Sequence, residues 1–298
     1  MRIVSLLPSA TEIICALGLA DRLVGVSHRC DFPPEIAAVA AVTRPSGNAA
    51  IEAAANMDDE LGSSEIDRPA LLAAQPDLIV FREGGAGPGS RQLEAALIGA
   101  DVTPTLIALD PIAVEGIFHS ITTIGAMTES EDDAIELLEE LREDIGEIEQ
   151  GVLARHDQGL RPKRVAVLEG LSPLLACGRW VPEQVRRAGG WELLGREGEP
   201  ASVTTWEAVR DVDPEMLLFA PAGLTLLEAQ AVWRELPRPD FWQDLEAVRQ
   251  GHVFFVEPVY FFRPGPRIVD GVAMLAEIFD PEGFVDTSPA DSWTPLVE

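Results

Sequence analysis

The chain has 298 residues, of which 47% are hydrophobic, enough for two domains of ordinary size with well-buried sheets. The 50 acidic residues outnumber the 22 basic ones, and the net charge of −28 disfavours nucleic acids and anionic membranes as partners. No run of about 18 apolar residues lacks charges, and the cysteines form no CxxC pair, so membrane insertion, a disulfide framework and a structural zinc site are not indicated.

Carboxylates dominate the charge of the chain, and Lys163 is its only lysine. Acidic surfaces with few lysines suit a cytoplasm full of salt, because carboxylates stay hydrated while salt screens their mutual repulsion. This composition predicts a halophilic source. The first residues lack a basic region followed by a long apolar run, which predicts a cytoplasmic protein; an extracytoplasmic, membrane-associated protein whose signal was removed is the alternative.

Residues 1–110 alternate between short apolar runs and segments of helical period. Residues 3–7 form the first predicted strand, and a helix follows with Ser9 as its predicted N-cap and Glu12 completing a capping box. Such alternation predicts an α/β lobe with a mainly parallel sheet. The remaining elements of this region are predicted strands at 23–26, 77–81 and 102–108 and helices at 68–74 and 92–98.

The pattern changes in residues 111–160, where apolar residues keep a three-to-four spacing through a very acidic background. This spacing predicts one long backbone helix of roughly 40 residues, about 60 Å at 1.5 Å per residue, that acts as a rigid strut. Two helices separated by a break near Gly125 or Gly146 are the alternative.

Residues 161–298 repeat the organisation of the first region. The clearest echo pairs RPALLAAQPDLIVF (68–81) with WEAVRDVDPEMLLFA (206–220), each a short helix, a turn with proline and a buried strand. The sequence thus predicts two Rossmann-like lobes, 1–110 and 161–298, joined by the long helix. Ligands of open α/β sheets bind outside the carboxyl ends of the strands, so a cleft between the lobes is the predicted binding site.

Several segments are similar to a known family, the helical-backbone (class III) substrate-binding proteins of cobalamin and iron-siderophore ABC transporters. The resemblance implies a bilobal fold with a long helix and a non-enzymatic binding role. The segments are RIVSLLPSATEIICALGLADRLVGVSHRCDFPPE (2–35), CGRWVPEQVRRAGG (177–190), TTWEAVRDVDPEMLLFAPAG (204–223) and VRQGHVFFVEPVYFFRPGPRIVDGVAMLAEIF (248–279).

SHRCDFPP (27–34) is most similar to the cobalamin-binding branch of that family that lacks a secretion signal. Relatives in that branch often carry a cysteine-rich segment after the strand that corresponds to 77–81. Here that place holds REGGAGPG (82–89), with no cysteine. Its glycine-rich part, 84–89, lacks the lysine of a P-loop and is predicted to be a flexible loop that a large ligand can approach.

His28 and Cys30 follow the predicted strand at 23–26, at its carboxyl end. Imidazole and thiolate are good ligands for cobalt, iron or zinc, so His28 is a candidate axial ligand of a corrinoid cobalt and Cys30 a candidate soft ligand or redox thiol. In the alternative, His28 caps a turn and Cys30 packs beneath it. Phe32 lies in the stiff turn that follows and is a candidate to line the cleft.

Aromatic and arginine side chains at strand ends are candidates to contact a large planar ligand and its polar groups. Ser9, at a helix N-terminus, is a candidate contact for an anionic group. Packing is the alternative for the tryptophans, and bonding to backbone carbonyls of the RPGPR turn is the alternative for Arg263. The predicted contacts are Arg82, Arg179, Trp180, Trp206, Tyr260, Phe261 and Arg263, whereas Trp191, Trp233 and Trp242 are assigned to cores.

Together these features predict a monomeric, non-enzymatic binding protein for cobalamin or a related corrinoid or metal chelate, with no required cofactor and an ABC permease as a further candidate partner. One alternative is the iron-siderophore or heme-type substrate-binding component of an ABC transporter. The other is a small-molecule enzyme that uses Cys30 and His28, although no GxSxG elbow or orienting carboxylate accompanies that pair.

Overall fold

The computed structural model of the chain describes residues 1–46, 64–84 and 87–297. The contacts among these residues divide the chain into two compact units. Unit 1 comprises Met1–Pro111, Glu115–Glu140 and Arg263–Pro266, and unit 2 comprises Ile112–Val114, Leu141–Phe262 and Arg267–Glu298. A short segment from late in the sequence therefore belongs to the unit built from the start of the chain.

The strands described in unit 1 are short, namely β1 (Ile3–Ser5), β2 (Leu23–Val26), β3 (Thr43–Pro45), β4 (Ser64–Ile66), β5 (Leu78–Phe81) and β6 (Thr105–Ala108). Four of them form a parallel sheet in the order β2-β1-β5-β6, and β3 pairs with β4 in an antiparallel ribbon. Every side chain of β5 is at most 3% exposed. A strand buried on both faces is apolar without alternation, which is why LIVF identified it in the sequence.

Helices α1 (Pro8–Ala16), α2 (Arg68–Ala74) and α3 (Ser90–Leu97) complete the α/β alternation of unit 1. α1 begins at Pro8, because the fixed φ and missing N–H of proline suit the first helical position. Leu7 is the N-cap residue, so the prediction that Ser9 caps this helix is wrong; Ser9 is buried within the first turn.

The predicted long helix is interrupted, giving α4 (Val114–Thr128) and α5 (Glu131–Asp157). Glu129, between them, has a φ of +57°, a left-handed conformation that ends α4. The Arg22 guanidinium donates to the Thr128 carbonyl at 2.9 Å and so satisfies one of the carbonyls left open at that helix end.

The next helix, α5, begins at Glu131, only three residues after α4 ends. Its first turn carries three acidic residues, which the positive end of a helix dipole favours. The predicted length of roughly 40 residues is wrong: α5 has 27 residues and spans about 40 Å. The alternative of two helices is the one observed, with the break at Glu129, four residues after Gly125 and far from Gly146. Gly125 instead lets α4 approach the start of α5, since a Cβ there would lie 2.6 Å from Cβ of Ala134.

The strands described in unit 2 are β7 (Lys163–Leu171), β8 (Leu174–Ala176), β9 (Gly190–Glu192), β10 (Ser202–Val203), β11 (Met216–Phe219), β12 (Val253–Val256) and β13 (Trp293–Pro295). They form one sheet in the order β10-β8-β7-β11-β12-β13, with β9 also paired to β7. β7, β9, β11 and β12 run parallel, and the outer strands β8, β10 and β13 are antiparallel to their neighbours.

Helices flank this sheet, namely α6 (Val181–Arg187), α7 (Trp206–Val212), α8 (Leu226–Glu235), α9 (Glu246–Arg249), α10 (Val259–Phe262) and α11 (Ile268–Phe279). Three 3₁₀ turns accompany the helices of the two units, at Ala20–Arg22, Pro34–Ala38 and Trp242–Asp244. α8 begins with a capping box in which Thr225 and Glu228 satisfy each other's backbone N–H groups.

Aromatic side chains form the centre of the unit 2 core. Trp233 is 1% exposed, and its ring centroid lies 4.5 Å from that of Phe219 and 5.1 Å from that of Trp242. The assignment of Trp233 and Trp242 to cores is thus confirmed. The same assignment is wrong for Trp191, which is 65% exposed, because the period-two alternation of β9 turns its side chain away from the buried Gly190.

The predicted fold class is confirmed, with parallel strands and flanking helices in each unit and a long helix between the two α/β stretches of the sequence. The predicted strand at 23–26 has the observed bounds, and those at 77–81 and 102–108 begin too early by one and three residues.

Candidate functional site

The candidate site of unit 1 is the edge of the sheet where all four parallel strands end. Polar residues follow these ends directly: Ser27 and His28 follow β2, Arg82 follows β5, and Asp110 lies two residues beyond β6. Open α/β sheets bind ligands at this edge, so His28 and Arg82, which were predicted from the sequence, lie where a ligand is expected to bind.

His28 is held by a hydroxyl from a neighbouring strand. Its Nδ1 lies 2.8 Å from Oγ1 of Thr43, and its backbone N–H donates to the same oxygen at 3.0 Å. The Thr43 hydroxyl in turn donates to Oγ of Ser27 at 3.2 Å. The imidazole is therefore fixed from one side of the ring.

Burial, and to a lesser extent the charge of Arg29, hold the pKa of His28 below its ordinary value. An imidazole whose pKa lies below the ordinary value of about 6.5 is mostly neutral at pH 7. Neutral imidazole is the form that binds metals, so His28 has the charge state a metal ligand needs.

Cys30 lies at the end of a second chain of hydroxyl groups. Its Sγ is 3.2 Å from Oγ1 of Thr11, Thr11 donates to Oγ of Ser5 at 2.8 Å, and Ser5 donates to the carbonyl of Leu7 at 3.0 Å. Thr11 and Ser5 are fully buried, so this hydroxyl chain runs inward from the sheet edge. The Cys30 sulfur thus contacts a hydroxyl group, and its role as a metal ligand or as a packing residue stays a prediction.

Arg263 joins this edge from far along the chain. Its guanidinium forms a two-pronged ion pair with the Asp31 carboxylate and lies 3.2 Å from the buried Glu12 carboxylate. These two carboxylates raise the pKa of Arg263 although burial opposes them. In the structure, Arg263 therefore pairs with two carboxylates of its own chain. The sequence had predicted that it contacts a ligand or bonds backbone carbonyls of the RPGPR turn.

The turn around Arg263 packs closely on α1. A Cβ on Gly265 would lie 3.3 Å from the carbonyl oxygen of Ser9. Ser9 is itself 3% exposed, so the structure makes it part of this packing rather than an accessible anion contact. Phe32, by contrast, is 40% exposed and close in sequence to His28 and Cys30, and its role in lining a cleft stays a prediction.

Arg82 is largely buried and pairs with Asp110 across the end of the sheet, with 2.9 Å between Nε and Oδ1. The adjoining Glu83 carboxylate accepts the N–H of Ser90 at 3.0 Å, and this hydrogen bond lowers its pKa. The predicted glycine-rich loop at 84–89 includes Gly85 and Ala86, which lie outside the described residues.

The corresponding edge of unit 2 is braced by carboxylates that accept backbone N–H groups. Glu169, which is buried, accepts from Gly178 at 3.0 Å, and Glu192 accepts from Val167 at 3.0 Å. Burial, together with these two carboxylates, raises the pKa of the Cys177 thiol well above its ordinary value. This thiol is neutral and buried, so it is a packing group rather than a nucleophile.

Arg179 has a φ of +54°, an uncommon conformation for a residue with a Cβ. The loop is held there because Gly178 lies tightly against the backbone of 199–201; a Cβ on Gly178 would lie 2.5 Å from the Glu199 carbonyl oxygen. Left-handed non-glycine residues persist where the surroundings determine them, and they cluster at functional sites. Arg179 therefore stays a candidate.

Two of the predicted aromatic contacts lie in the interior of unit 2. Trp180 is 4% exposed, and its indole N–H donates to the carbonyl of Phe261, itself fully buried, at 2.8 Å. Trp206 is partly buried and packs edge-on against Trp242 with 5.5 Å between ring centroids. The predicted ligand contacts of Trp180 and Phe261 are corrected to packing roles, because aromatic area gains most when removed from water.

Tyr260 remains partly exposed, and the Arg267 guanidinium lies 5.9 Å from the centroid of its ring. The neighbouring backbone is firmly held, since the Gln184 amide donates to the carbonyls of Tyr260 and Ile268 at 3.0 and 2.9 Å. Of the aromatic contacts predicted for unit 2, Trp206 and Tyr260 are thus the two that the structure leaves partly exposed.

Sequence analysis missed the polar residues that position His28 and Cys30. Ser5, Thr11 and Thr43 are small, buried and separated in sequence from the residues that they contact, and no motif surrounds them. Within the described residues, no group of three or more His, Cys, Asp or Glu side chains is placed to hold a metal ion.

Comparison with known proteins agrees with this geometry. Residues 3–260 match the family described as periplasmic binding protein. The chain belongs to that family. It is 25% identical over 291 residues to YvrC, an uncharacterized ABC transporter substrate-binding lipoprotein of Bacillus subtilis, which covers 95% of this chain and 81% of that protein.

A second relative of this periplasmic binding protein is the vitamin B12-binding protein of Pectobacterium atrosepticum, which is 24% identical over 271 residues and covers 90% of this chain and 84% of that protein. A periplasmic heme-binding protein from Pseudomonas aeruginosa has the same fold, with a TM-score of 0.72, 21% identity, and coverage of 99% of this chain and 95% of its own.

These findings confirm the resemblance to substrate-binding proteins of ABC transporters. Such family members are binding components of transport with a small-molecule ligand and a permease partner. The relatives are named as a lipoprotein or as periplasmic, and the predicted cytoplasmic location finds no support among them. Among the helices of the described residues, none is both long and apolar enough to cross a membrane.

Proposed function

We propose that this periplasmic binding protein binds cobalamin or a related corrinoid through the carboxyl edge of its unit 1 sheet. The observation that carries the proposal is His28, a half-buried imidazole held at Nδ1 by Thr43, with a pKa lowered by burial. Its Nε2 makes no hydrogen bond among the described residues, which leaves a nitrogen that suits cobalt. The vitamin B12-binding relative supports the choice of a corrinoid.

Phe32 has a supporting role in unit 1, where it supplies exposed aromatic surface beside His28. Flat aromatic groups suit the apolar faces of a macrocycle. The proposed role is binding alone, without any chemical change of the ligand.

The protein hands its ligand to an ABC permease and works outside the cytoplasm as a monomer. The family and the lipoprotein relative support the permease and the location. The excess of carboxylates supports a saline setting, because such a surface needs screening by salt.

A titration with cobinamide tests the proposal. Cobinamide lacks the nucleotide base of cobalamin, so an imidazole of the protein can occupy a position on cobalt and change the visible absorption spectrum. Wild-type protein in molar salt is expected to bind with such a spectral change, and His28→Gln is expected to lose about tenfold or more in affinity and the imidazole-bound spectrum. His119→Gln, which alters an exposed histidine on α4, is the matched control and should bind as the wild type does.

Absence of heat and of any spectral change on adding cobinamide or cobalamin to the folded wild-type protein would refute the proposal. Heme is the second candidate, favoured by the fold shared with a heme-binding protein. A heme titration that gives an imidazole-dependent Soret shift, alongside no response to either corrinoid, would assign the site to heme instead.

A further inference from the structure

Thr43 reaches His28 through tertiary structure, because the two residues are 15 positions apart. The segment before β3 runs beside the end of β2, where the Val26 N–H donates to Ala40 at 3.0 Å and the Val42 N–H donates to Val26 at 2.9 Å. Gly25 permits this approach, since a Cβ there would lie 2.6 Å from Cγ1 of Val42. This close packing of the backbone therefore places Thr43, which is 4% exposed, beside His28.

The protons around Thr43 can be counted. A threonine hydroxyl has one proton, and the Thr43 hydroxyl donates it to Ser27. Its two lone pairs remain, and the backbone N–H of His28 takes one of them. At the 2.8 Å contact with the ring, the proton must then come from Nδ1 of His28. The neutral imidazole is thereby the Nδ1–H tautomer, whose Nε2 carries the lone pair.

We infer that Thr43 is a positioning residue: it fixes His28 as the Nδ1–H tautomer and so presents Nε2 to the metal of a bound chelate. The metal part of this inference rests on the proposed function. The tautomer part concerns the protein alone. Metal-bound histidines commonly donate their other ring N–H to an oxygen in this way, which orients the ring and raises its basicity.

The tautomer is measured without ligand, by long-range proton–nitrogen NMR of protein labelled with ¹⁵N-histidine. His28→Gln assigns the signals of His28 among those of the four histidines. The wild type is expected to show a protonated Nδ1 and a bare Nε2. Thr43→Val is expected to shift the ring toward the Nε2–H form, Thr43→Ser to restore the wild-type pattern, and Thr11→Val to leave His28 unchanged.

Cobinamide titration of the same variants tests the metal part. Thr43→Val is expected to bind about 10- to 100-fold more weakly than the wild type and to lose the imidazole-bound spectrum, with Thr43→Ser close to the wild type. Thr11→Val is expected to keep both the affinity and the spectrum. Circular dichroism of each variant confirms that the fold is intact before its affinity is compared.

Each outcome separates the claims. A wild-type His28 protonated at Nε2, or a Thr43→Val variant with unchanged tautomer and affinity, would overturn the role of Thr43 while leaving corrinoid binding intact. A wild type that shows the Nδ1–H tautomer yet binds no cobinamide would refute the proposed function but not the positioning role of Thr43. An imidazole-free, Cys30-dependent spectrum would overturn the assignment of His28 over Cys30.

Discussion

The carboxyl edges of the two sheets have similar topology but different chemistry. In unit 1 the edge presents a half-buried imidazole, a thiol and an exposed phenyl ring, backed by buried hydroxyl groups. In unit 2, two of the aromatic residues predicted to face a ligand lie in the interior, where the indole of Trp180 donates to the carbonyl of Phe261. Topology alone therefore does not decide function; the accessible atoms at each edge do, and they are the reason that the proposed metal contact is assigned to unit 1.

The largest expected effect sharpens the unit 2 side of this contrast. Trp233→Ala should cost about 3–5 kcal/mol of the free energy of unfolding, because it opens a cavity in the aromatic core and removes the ring under Arg238. Trp191→Ala, at an exposed tryptophan of the same unit, should change that free energy by less than about 0.5 kcal/mol. Urea unfolding followed by circular dichroism measures both, and equal losses would contradict the core assignment.

A smaller effect tests how charge holds the unit 1 edge. Arg263→Met should cost about 1.5–3 kcal/mol, because the buried Glu12 carboxylate loses its guanidinium partner. Asp31→Asn removes a partner of the same arginine whose side chain is 66% exposed, and should cost less than about 1 kcal/mol. Urea denaturation compares the two; if Asp31→Asn were the more damaging change, the exposed pair rather than the buried one would hold this edge.

The smallest effect is a dependence of stability on pH. Burial lowers the pKa of His28 in the folded protein below the ordinary value of about 6.5, so the unfolded chain binds a proton more readily. This histidine then costs stability at pH values below its folded pKa and costs none above about pH 6.5. Stability of the wild type relative to His28→Gln should therefore rise as pH increases through the interval between the two pKa values.

Melting temperatures of the wild type and His28→Gln at several values between about pH 5 and pH 8 give this difference directly. A wild type that loses stability relative to His28→Gln as pH rises would mean that the folded protein favours the charged imidazole. His28 would then be a poor metal ligand at neutral pH, and the contrast between the two edges would disappear.

The sequence predicted those features that depend on local pattern. LVGV and LIVF mark strands buried on both faces, so β2 and β5 were located almost to the residue, and with them the places of His28 and Arg82. A residue that directly follows a buried strand in an α/β pattern lies at the carboxyl edge whatever its partners are.

What the sequence left unpredicted depends on contacts between distant residues. Apolar spacing continues through the end of α4, and the interruption depends on Arg22, which is 106 residues away from the carbonyl it satisfies. Trp180 carries the same local signal whether it faces a ligand or the Phe261 carbonyl, 81 residues later. Thr43 has no signal at all, since its role exists only once Gly25 lets two segments approach.

The assignment of Arg263 to unit 1 has a consequence for how the protein is made. Glu12 and Arg263 are 251 residues apart, so at about 5–20 residues per second a ribosome needs roughly 12–50 s to supply the arginine after the glutamate. During that interval Glu12 has already been synthesised, and burial of its carboxylate would leave it without the guanidinium of Arg263. Completion of unit 1 therefore waits until Arg263–Pro266 has been synthesised, long after the first strands and helices of that unit.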